Sequence, residues 1–424
     1  MPEKILKNCK VLDVENQKVL EGRSILIDGF QIKEIRKVEE GLEQEKKLPR
    51  ESVFDIQDRL VMPGLIDAHV HLCVLQAASE TDTLLENLKA SETLKVLHGA
   101  RNAKETLLSG FTTVRDMGQG DNLALRDAIE RGVVPGPRIV ACGWLGMTSG
   151  HQERMHSEWR FRIRPRQTDA GVDGPWEIRK KIRKLVGQGF DCIKTFTSGS
   201  GVIQHPFYPY WLEGRNFTQG ELEALVDEAH AAGRRVAAHA LASPAGVKLA
   251  IAAGIDTLEH GVFLDEEDAA RMAKDRIFYV PTMAVVKAMW DVKELEKIKY
   301  LQIESERARG YLEAHAESFR RAQAHGVKIV MGSDTFRVLK HGENACELET
   351  MVKAGMTEME AIISATQTAS EALGIEHLTG SVEEGKWADL LVVEPSPLSN
   401  ISVLRERKNL KLIMKNGEII SCQL

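Results

Sequence analysis

The sequence predicts an α/β protein: a (β/α)8 TIM barrel with a small β-sandwich domain built from both chain ends. Short apolar strands alternate with helical stretches eight times through the middle of the chain, whereas both ends carry short strands and turns. A chain of 424 residues is also too long for one small core. The predicted division is 1–61 for the N-terminal part of the β-sandwich, 62–375 for the barrel and 376–424 for the C-terminal part.

Composition is that of an ordinary globular protein, with 43% hydrophobic and 28% charged residues. The net charge of −6 gives no basic field that would favour a nucleic acid partner. We expect no membrane association, because no apolar run approaches the roughly 20 residues of a membrane-spanning helix. The first 20 residues lack a signal-peptide pattern, so a cytoplasmic location is expected. The six cysteines are scattered without a CxxC pair, which argues against a disulfide framework or a thiolate zinc site.

The two ends share one texture of short strands and turns. Asp28-Gly29 and Asn416-Gly417 each join two apolar runs and are typical of β-hairpin turns. The predicted strands lie at 18–20, 24–29, 31–35, 52–56, 388–393 and 410–420. Neither end has enough apolar surface to fold alone, so we expect both to pair into one β-domain.

The middle of the chain reads as repeated strand–helix units, which imply a parallel sheet with right-handed crossovers. The candidate strands are 64–72, 111–116, 138–143, 191–196, 235–240, 257–261, 277–282 and 328–334. The helical stretches are 84–109, 121–132, 176–188, 218–232, 243–253, 265–274, 284–325 and 343–372. Eight units in this length fit a closed barrel. An open doubly wound sheet is the alternative, but no GxGxxG motif follows the first strand to support a dinucleotide site.

The first barrel strand ends in His69 and His71. Side chains alternate along a strand, so the two imidazoles point to the same side, roughly 7 Å apart. Two such histidines can chelate one divalent metal ion. Taken alone, they could equally be two polar residues that close a strand.

Polar groups also stand at the ends of four other predicted strands. They are Lys194 on strand 4, His239 on strand 5, His260 on strand 6 and Asp334 on strand 8. Each has a structural explanation by itself, such as a salt bridge, a core hydrogen bond or a helix cap. Active sites of TIM barrels lie at the carboxyl ends of the strands, so the whole set indicates a catalytic site.

The sequence resembles the amidohydrolase superfamily, in particular its prolidase-like and imidazolonepropionase-like proteins. The resemblance covers nearly the whole chain. The motifs that carry it are PGLIDAHVHL (63–72), GFTTVRDMG (110–118), IKTFTSG (193–199), AAHA (237–240), LEHG (258–261), GSDT (332–335), the stretch 341–370 and GSVEEGKWADLLVVEPSPL (380–398). Single pieces such as GSDT are weak signals, whereas the ordered set is a strong one.

The resemblance implies a binuclear metal centre. His69 and His71 would bind the more buried metal, and Lys194, as N6-carboxylysine, would bridge two metals. His239 and His260 would bind the second metal, while Asp334 would ligate the first and move the proton as the catalytic residue. Two metals about 4 Å apart lower the pKa of a bridging water, so that hydroxide is available near neutral pH. Histidine, carboxylate and carbamate ligands favour two Zn²⁺ ions, with Mn, Co or Fe as alternatives.

Three residues on loops above the barrel are predicted to contact substrate. In similar proteins a histidine after strand 3 does so, which points to His151. Tyr208 belongs to an aromatic, proline-stiffened loop after strand 4 that could form an apolar pocket wall, or be an ordinary packed loop or subunit contact. Arg337, after Asp334, could contact an anionic leaving group. The arginine-rich stretch 156–166 could hold a substrate carboxylate, stack on RNA or form a solvated lid.

The leading functional hypothesis is a metal-dependent hydrolase of amide-type C–N bonds, and in its sharpest form a dipeptidase acting on an Xaa-Pro dipeptide or an N-acyl amino acid. The substrate class rests on the resemblance alone. Alternatives are hydrolysis of a cyclic amide, carbamate, urea or organophosphate ester, and a non-catalytic barrel scaffold. We expect a small-molecule substrate and a homo-oligomer. The charged stretch 284–325 is predicted to form amphipathic helices around the barrel or at an oligomer interface.

Overall fold

The computed structural model describes residues 2–40, 47–76, 83, 86–87, 89–148, 171–199, 216–241, 243–289, 302–335 and 339–424, with the backbone alone for 302–308. Two sheets organise these residues: a terminal sheet built from both chain ends and a parallel barrel sheet. A two-stranded parallel ribbon, β9 (Gly146–Met147) and β10 (Gly171–Val172), lies on either side of the segment 149–170 in the sequence. The fold class predicted from the sequence is confirmed.

The terminal sheet is mostly antiparallel, in the order β17-β16-β15-β5-β1-β2-β3, with β4 paired to β1. Its strands are β1 (Lys4–Asp13), β2 (Lys18–Asp28), β3 (Gln31–Lys37), β4 (Val53–Asp55), β5 (Leu60–Pro63), β15 (Leu390–Val393), β16 (Leu410–Lys415) and β17 (Glu418–Cys422). Both predicted hairpins form, and Asn416 and Gly417 take φ values of +50° and +71°, as a type I′ turn requires. The sequence patterns did not identify β1, because an irregular register around Asn8, with φ +56°, interrupts its alternation.

The terminal sheet folds back on itself. Its edge strand β3 bridges through Gln31 to Trp387, just before β15. The amide of Ile32 donates to the carbonyl of Lys386 at 2.8 Å, and that of Ala388 donates to the carbonyl of Phe30 at 2.8 Å. Apolar residues from both chain ends fill the interior of this domain. The two ends therefore complete one core, as predicted.

Seven parallel strands form the barrel sheet, with neighbours in the order β14-β13-β12-β11-β8-β7-β6. They are β6 (Leu65–Val70), β7 (Phe111–Asp116), β8 (Arg138–Trp144), β11 (Cys192–Phe196), β12 (Arg235–His239), β13 (Thr257–Glu259) and β14 (Phe278–Val280), and the ribbon strands are β9 (Gly146–Met147) and β10 (Gly171–Val172).

The predicted eighth strand, 328–334, is an irregular extended segment that closes the barrel. On one side the amide of Val330 donates to the carbonyl of Tyr279 on β14 at 2.8 Å. On the other side the amide of Ala68 on β6 donates to the carbonyl of Met331 at 3.0 Å. The segment thus joins the first and last strands of the sheet, which excludes the open doubly wound alternative.

Helices follow the barrel strands along the chain and pack around them. They are α1 (Glu92–Leu108), α2 (Asn122–Glu130), α3 (Gly174–Gly187), α4 (Gln219–Ala231), α5 (Pro244–Ala253), α6 (Glu266–Asp275), α7 (Met283–Met289), α8 (Gln302–Ala324), α9 (Cys346–Lys353), α10 (Glu358–Ser364) and α11 (Gln367–Leu373). Thr218 and Glu221 form the predicted capping box of α4. The predicted helix 343–372 is three helices: Gly355 takes φ +127° and Thr357 caps a second helix, and Thr366, with φ −134° and ψ −93°, interrupts the helical backbone before the third. Across the described residues, no helix combines the length and apolar character that crossing a bilayer requires.

Candidate metal centre

The histidines of β6 point to the same side of the strand, as their spacing predicts, with ring centroids 5.5 Å apart. Nδ1 of His69 lies 2.7 Å from Oε2 of Glu259, and Nδ1 of His71 lies 2.9 Å from the carbonyl oxygen of Gly118. Since a carboxylate and a carbonyl only accept, each Nδ1 carries the proton when the ring is neutral. The Nε2 lone pair of both rings is then available to a metal ion.

Asp334 is the last residue of the closing segment and faces both histidines. Its Oδ1 atom lies 3.6 Å from Nε2 of His69 and 3.4 Å from Nε2 of His71. Ligand atoms of the three residues all lie within 4.8 Å of one another. Two ligands bound tetrahedrally at about 2.1 Å are themselves about 3.4 Å apart, so the spacing fits ligands of one ion. Oδ1 of Asp334 is buried and accepts no hydrogen bond from a described residue, which is costly without a positive partner.

Three residues at the ends of barrel strands adopt left-handed backbone conformations. The φ angles are +68° at His260, +52° at Thr282 and +51° at Asp334. Such conformations cost about 1–3 kcal/mol each and persist where the surroundings impose them. For Asp334 part of this constraint is visible, since its amide donates to the carbonyl of His69 at 2.7 Å. Strain of this kind clusters at functional sites.

His239 and His260 form a second imidazole pair beside the first. Their ring centroids are 4.6 Å apart, and the ring of His260 is 5.1 Å from that of His69. Nδ1 of His260 lies 2.6 Å from the hydroxyl oxygen of Thr282, and Nε2 of His239 lies 3.2 Å from the carbonyl oxygen of Gly199. Four imidazoles thus converge at the carboxyl ends of β6, β12 and β13.

Lys194, on β11, is 1% exposed, and its Nζ has no hydrogen-bond partner among the described residues. Burial lowers the pKa of its ammonium group, although the carboxylates of Glu259 and Asp334 oppose that shift. A buried cation without an acceptor is unfavourable, so the position favours a neutral amine or a modified lysine. A carbamate on Nζ would turn an unpartnered donor into an anionic ligand.

The electrostatics of the site favour the neutral forms of His69 and His260. Burial, followed by the Lys194 cation, holds the pKa of His69 well below its ordinary value. Burial, followed by the charge of His69, does the same for His260. Neutral imidazole is the form that binds metal ions. The donor set and its two orphaned polar atoms, on Lys194 and Asp334, therefore fit a divalent metal centre.

The structure places the six predicted ligands, His69, His71, Lys194, His239, His260 and Asp334, at one end of the barrel. The compact three-ligand group comprises His69, His71 and Asp334. The substrate contacts predicted for His151, Tyr208 and Arg337 lie outside the described residues, as does the arginine-rich stretch 156–166. Their roles stay predictions.

Sequence reasoning missed the residues that hold the ligands in place. Asp67 accepts hydrogen bonds from the amides of His69 (3.1 Å) and Ser333 (2.9 Å), from the Ser333 hydroxyl (2.5 Å) and from Asn344 Nδ2 (2.8 Å). It thereby connects β6 to the closing segment, and burial raises its pKa to about 6. The sequence signal that could have identified Asp67 was its position, since it precedes His69 by two residues and shares its strand face.

His341 is also buried, with Nε2 3.2 Å from the carbonyl oxygen of His71.

Arg115 and Glu259 form a second supporting group that the sequence did not single out. Both are buried within the barrel sheet and form an ion pair of 2.7 Å. Both stand inside motifs that carried the family resemblance, TTVRDMG and LEHG. A charged residue inside an apolar strand was the signal that could have identified both, and Glu259 also stands next to His260.

Comparison with known proteins identifies the family of this chain. A model of the amidohydrolase family matches residues 60–420. An ochratoxinase of Aspergillus niger is 31% identical over 380 residues, which cover 85% of this chain and 75% of that protein. An imidazolonepropionase of Symbiobacterium thermophilum is 24% identical over 437 residues, covering 94% and 88%. The crystal structure of an Xaa-Pro dipeptidase with methionine bound in its active site matches with a TM-score of 0.84 and 32% identity, covering 99% of this chain and 100% of that one.

Proposed function

The chain belongs to the amidohydrolase family, and we propose that it uses two divalent metal ions to hydrolyse an amide bond in an Xaa-Pro dipeptide or N-acyl amino acid. Family and relatives place it among enzymes that act on amide-type C–N bonds. One observation supports the metal-dependent mechanism most strongly. Two buried polar atoms without partners, Nζ of Lys194 and Oδ1 of Asp334, stand among four clustered imidazoles.

In this proposal His69, His71 and Asp334 hold one ion, His239 and His260 hold the other, and Lys194 bridges them as a carbamate. When bound, the ions supply Lewis-acid polarisation of the scissile carbonyl and lower the pKa of water. The Lys194 modification requires its neutral amine to add to CO₂, which forms one N–C bond and releases one proton. The buried, unpartnered position of Nζ supports this chemistry because it disfavours the ammonium form.

The proposed role of Asp334 is proton transfer. Its carboxylate accepts a proton from the attacking water and passes it to the leaving nitrogen. The unpartnered Oδ1 supports a place for this carboxylate at the metal centre, because no described donor competes with a metal ion for that oxygen. The hydrogen bond from its amide to the carbonyl of His69 fixes the carboxylate in front of the ligand histidines.

The substrate class rests on similarity to proteins named Xaa-Pro dipeptidase and ochratoxinase. The test is hydrolysis of Xaa-Pro dipeptides, N-acyl amino acids and ureas by protein loaded with Zn²⁺, Mn²⁺ or Co²⁺. We expect turnover of a dipeptide or an N-acyl amino acid. Turnover of ureas alone, or of no compound with any of the metals, would contradict the proposal.

Asp334→Asn is the matched variant for the proton-transfer role. Asparagine tolerates the left-handed backbone that Asp334 adopts at φ +51°, so the change removes the charge with little added strain. We expect metal to stay bound while hydrolysis falls by about 10²–10⁴-fold. Full activity in a metal-loaded Asp334→Asn protein would show that another group moves the proton.

A further inference from the structure

We propose that Glu259 and Arg115 are positioning residues for the metal centre, which together fix His69 in the tautomer that presents Nε2 as the metal ligand. The inference rests on the proposed function, since it assigns a task to residues that support the same site. It goes further because neither residue is among the six proposed metal ligands; both act through His69.

The Glu259 carboxylate is fully buried and has a separate task for each oxygen. Oε2 lies 2.7 Å from Nδ1 of His69, while Oε1 accepts from Nη2 of Arg115 at 2.7 Å. The hydroxyl of Thr257 also donates to Oε1, at 2.5 Å. Since Arg115 and Thr257 both donate to this carboxylate, Glu259 acts as an acceptor, and His69 carries its proton on Nδ1. Rotation of the ring to present Nδ1 to a metal would break this charge-assisted bond.

Arg115 holds Glu259 and the backbone of the ligand strand at once. Its Nε donates to the carbonyl of Ala68 at 2.7 Å, and its Nη1 donates to the hydroxyl oxygen of Thr257 at 3.0 Å. Ala68 immediately precedes His69 on β6. The planar guanidinium therefore sets both the position of the strand and the position of the carboxylate, a fork that lysine cannot reproduce.

Two of the other ligand histidines, His71 and His260, have neutral groups at the corresponding atom. Nδ1 of His71 contacts the carbonyl of Gly118, and Nδ1 of His260 contacts the hydroxyl of Thr282. A carboxylate makes a stronger bond than either and makes the imidazole a more basic ligand. His69 is therefore expected to be the most firmly oriented of the three. Loss of the Glu259 carboxylate should therefore lower the affinity of the centre for its metal ion.

A purely structural ion pair is the competing explanation, because buried pairs can contribute to stability without any role in metal binding. Metal affinity and the electronic spectrum of bound Co²⁺ separate the two. Glu259→Gln removes the charge and keeps an acceptor, while the double variant Glu259→Leu with Arg115→Met replaces the pair by apolar groups and leaves no unpaired charge. Glu347→Gln is the control, since Glu347 is a buried carboxylate that accepts only from backbone amides of α7 in the described structure.

The experiment measures Zn²⁺ and Co²⁺ affinity of each full-length protein by competition with a chromophoric chelator, and records the visible absorption of the Co²⁺ form. We expect about 10–100-fold weaker binding and an altered Co²⁺ spectrum in Glu259→Gln and in the folded double variant. Glu347→Gln should match the wild type in both readouts. If Glu259→Gln does not fold, the double variant decides the outcome.

Wild-type affinity and spectrum in a folded protein that lacks the Glu259 charge would overturn the positioning role and leave a structural pair. If the wild-type protein itself binds neither ion, the proposed function fails, and that result is distinguishable from the first. Lower activity without a change in affinity or spectrum would also count against the inference.

Discussion

Glu347 should make the stability of this protein depend on pH in the range where carboxyl groups are ordinarily ionised. The side chain is fully buried on α9, and its two oxygens accept from the amides of Met283 at 2.8 Å and Ala284 at 2.6 Å. Burial raises its pKa from 4.5 to about 8, although the two amide hydrogen bonds favour the charged form. The carboxyl group is therefore protonated in the folded protein at neutral pH and ionised in the unfolded chain.

The sign and size of the effect follow from that difference. Below pH 4.5 the group is protonated in both the folded and the unfolded state, so it does not change the free energy of unfolding. Between pH 4.5 and 8 only the unfolded chain releases the proton, so stability falls as pH rises. A shift from 4.5 to about 8 corresponds to about 5 kcal/mol lost across this range, as an order of magnitude. Above pH 8 no further loss is expected from this group.

Glu347→Gln isolates this contribution. The glutamine cannot ionise, but it offers one acceptor to two amides, so we expect the variant to be less stable than wild type by about 1–3 kcal/mol at pH 5. At pH 8.5 the wild type has lost its advantage, and the variant should equal or exceed it. Urea denaturation of both proteins in metal-free form, at steps between pH 5 and 8.5, measures the difference in unfolding free energy. Other titrating groups cancel in that difference.

A difference that stays constant within about 1 kcal/mol over this range would refute the reasoning. It would mean that Glu347 is already ionised in the fold and that its two amide partners outweigh burial. A difference that grows in favour of wild type at high pH would contradict the sign.

Two further predictions concern the centre itself. Thr282→Val removes the hydroxyl that lies 2.6 Å from Nδ1 of His260 and should weaken Zn²⁺ binding by about 10–100-fold in chelator competition. Thr282→Ser keeps the hydroxyl and should bind Zn²⁺ like wild type. Equal Zn²⁺ affinity of the two variants would show that the hydroxyl does not support the ligand His260. Wild-type protein equilibrated with ¹³C-bicarbonate and Zn²⁺ should show a carbamate carbon resonance that is absent in Lys194→Ala, and the variant should retain at most one metal per chain. A wild-type spectrum without that resonance would contradict the proposed modification of Lys194.

Much of the architecture could be predicted because hydrophobic periodicity is a local property. The alternation of strands and helices was sufficient for the barrel, and the turn residues Asn416 and Gly417 were sufficient for a terminal hairpin. Local patterns failed where the backbone is irregular. The bulge at Asn8 interrupts the alternation by which β1 could have been predicted, and Gly355 ends the first of the helices within the predicted helix 343–372.

The positions of the candidate ligands were also accessible from the sequence. His69 and His71 share a strand face by spacing alone, and the barrel hypothesis put Lys194, His260 and Asp334 at the same end of the sheet. Motif order, rather than any single residue, then indicated the family that the comparisons support.

The sequence by itself thus determined the barrel, the assembly of both ends into one domain, and which side chains meet at the mouth of the barrel. Only the tertiary structure decided how those side chains are held. The pairing of Glu259 with both His69 and Arg115, and the link from Asp67 to Ser333, join residues far apart in the chain. Such contacts leave no periodic signal, because they depend on the closure of the sheet and on the exclusion of water from its interior. Burial turns these polar residues into obligatory partners, and burial is a property of the folded chain.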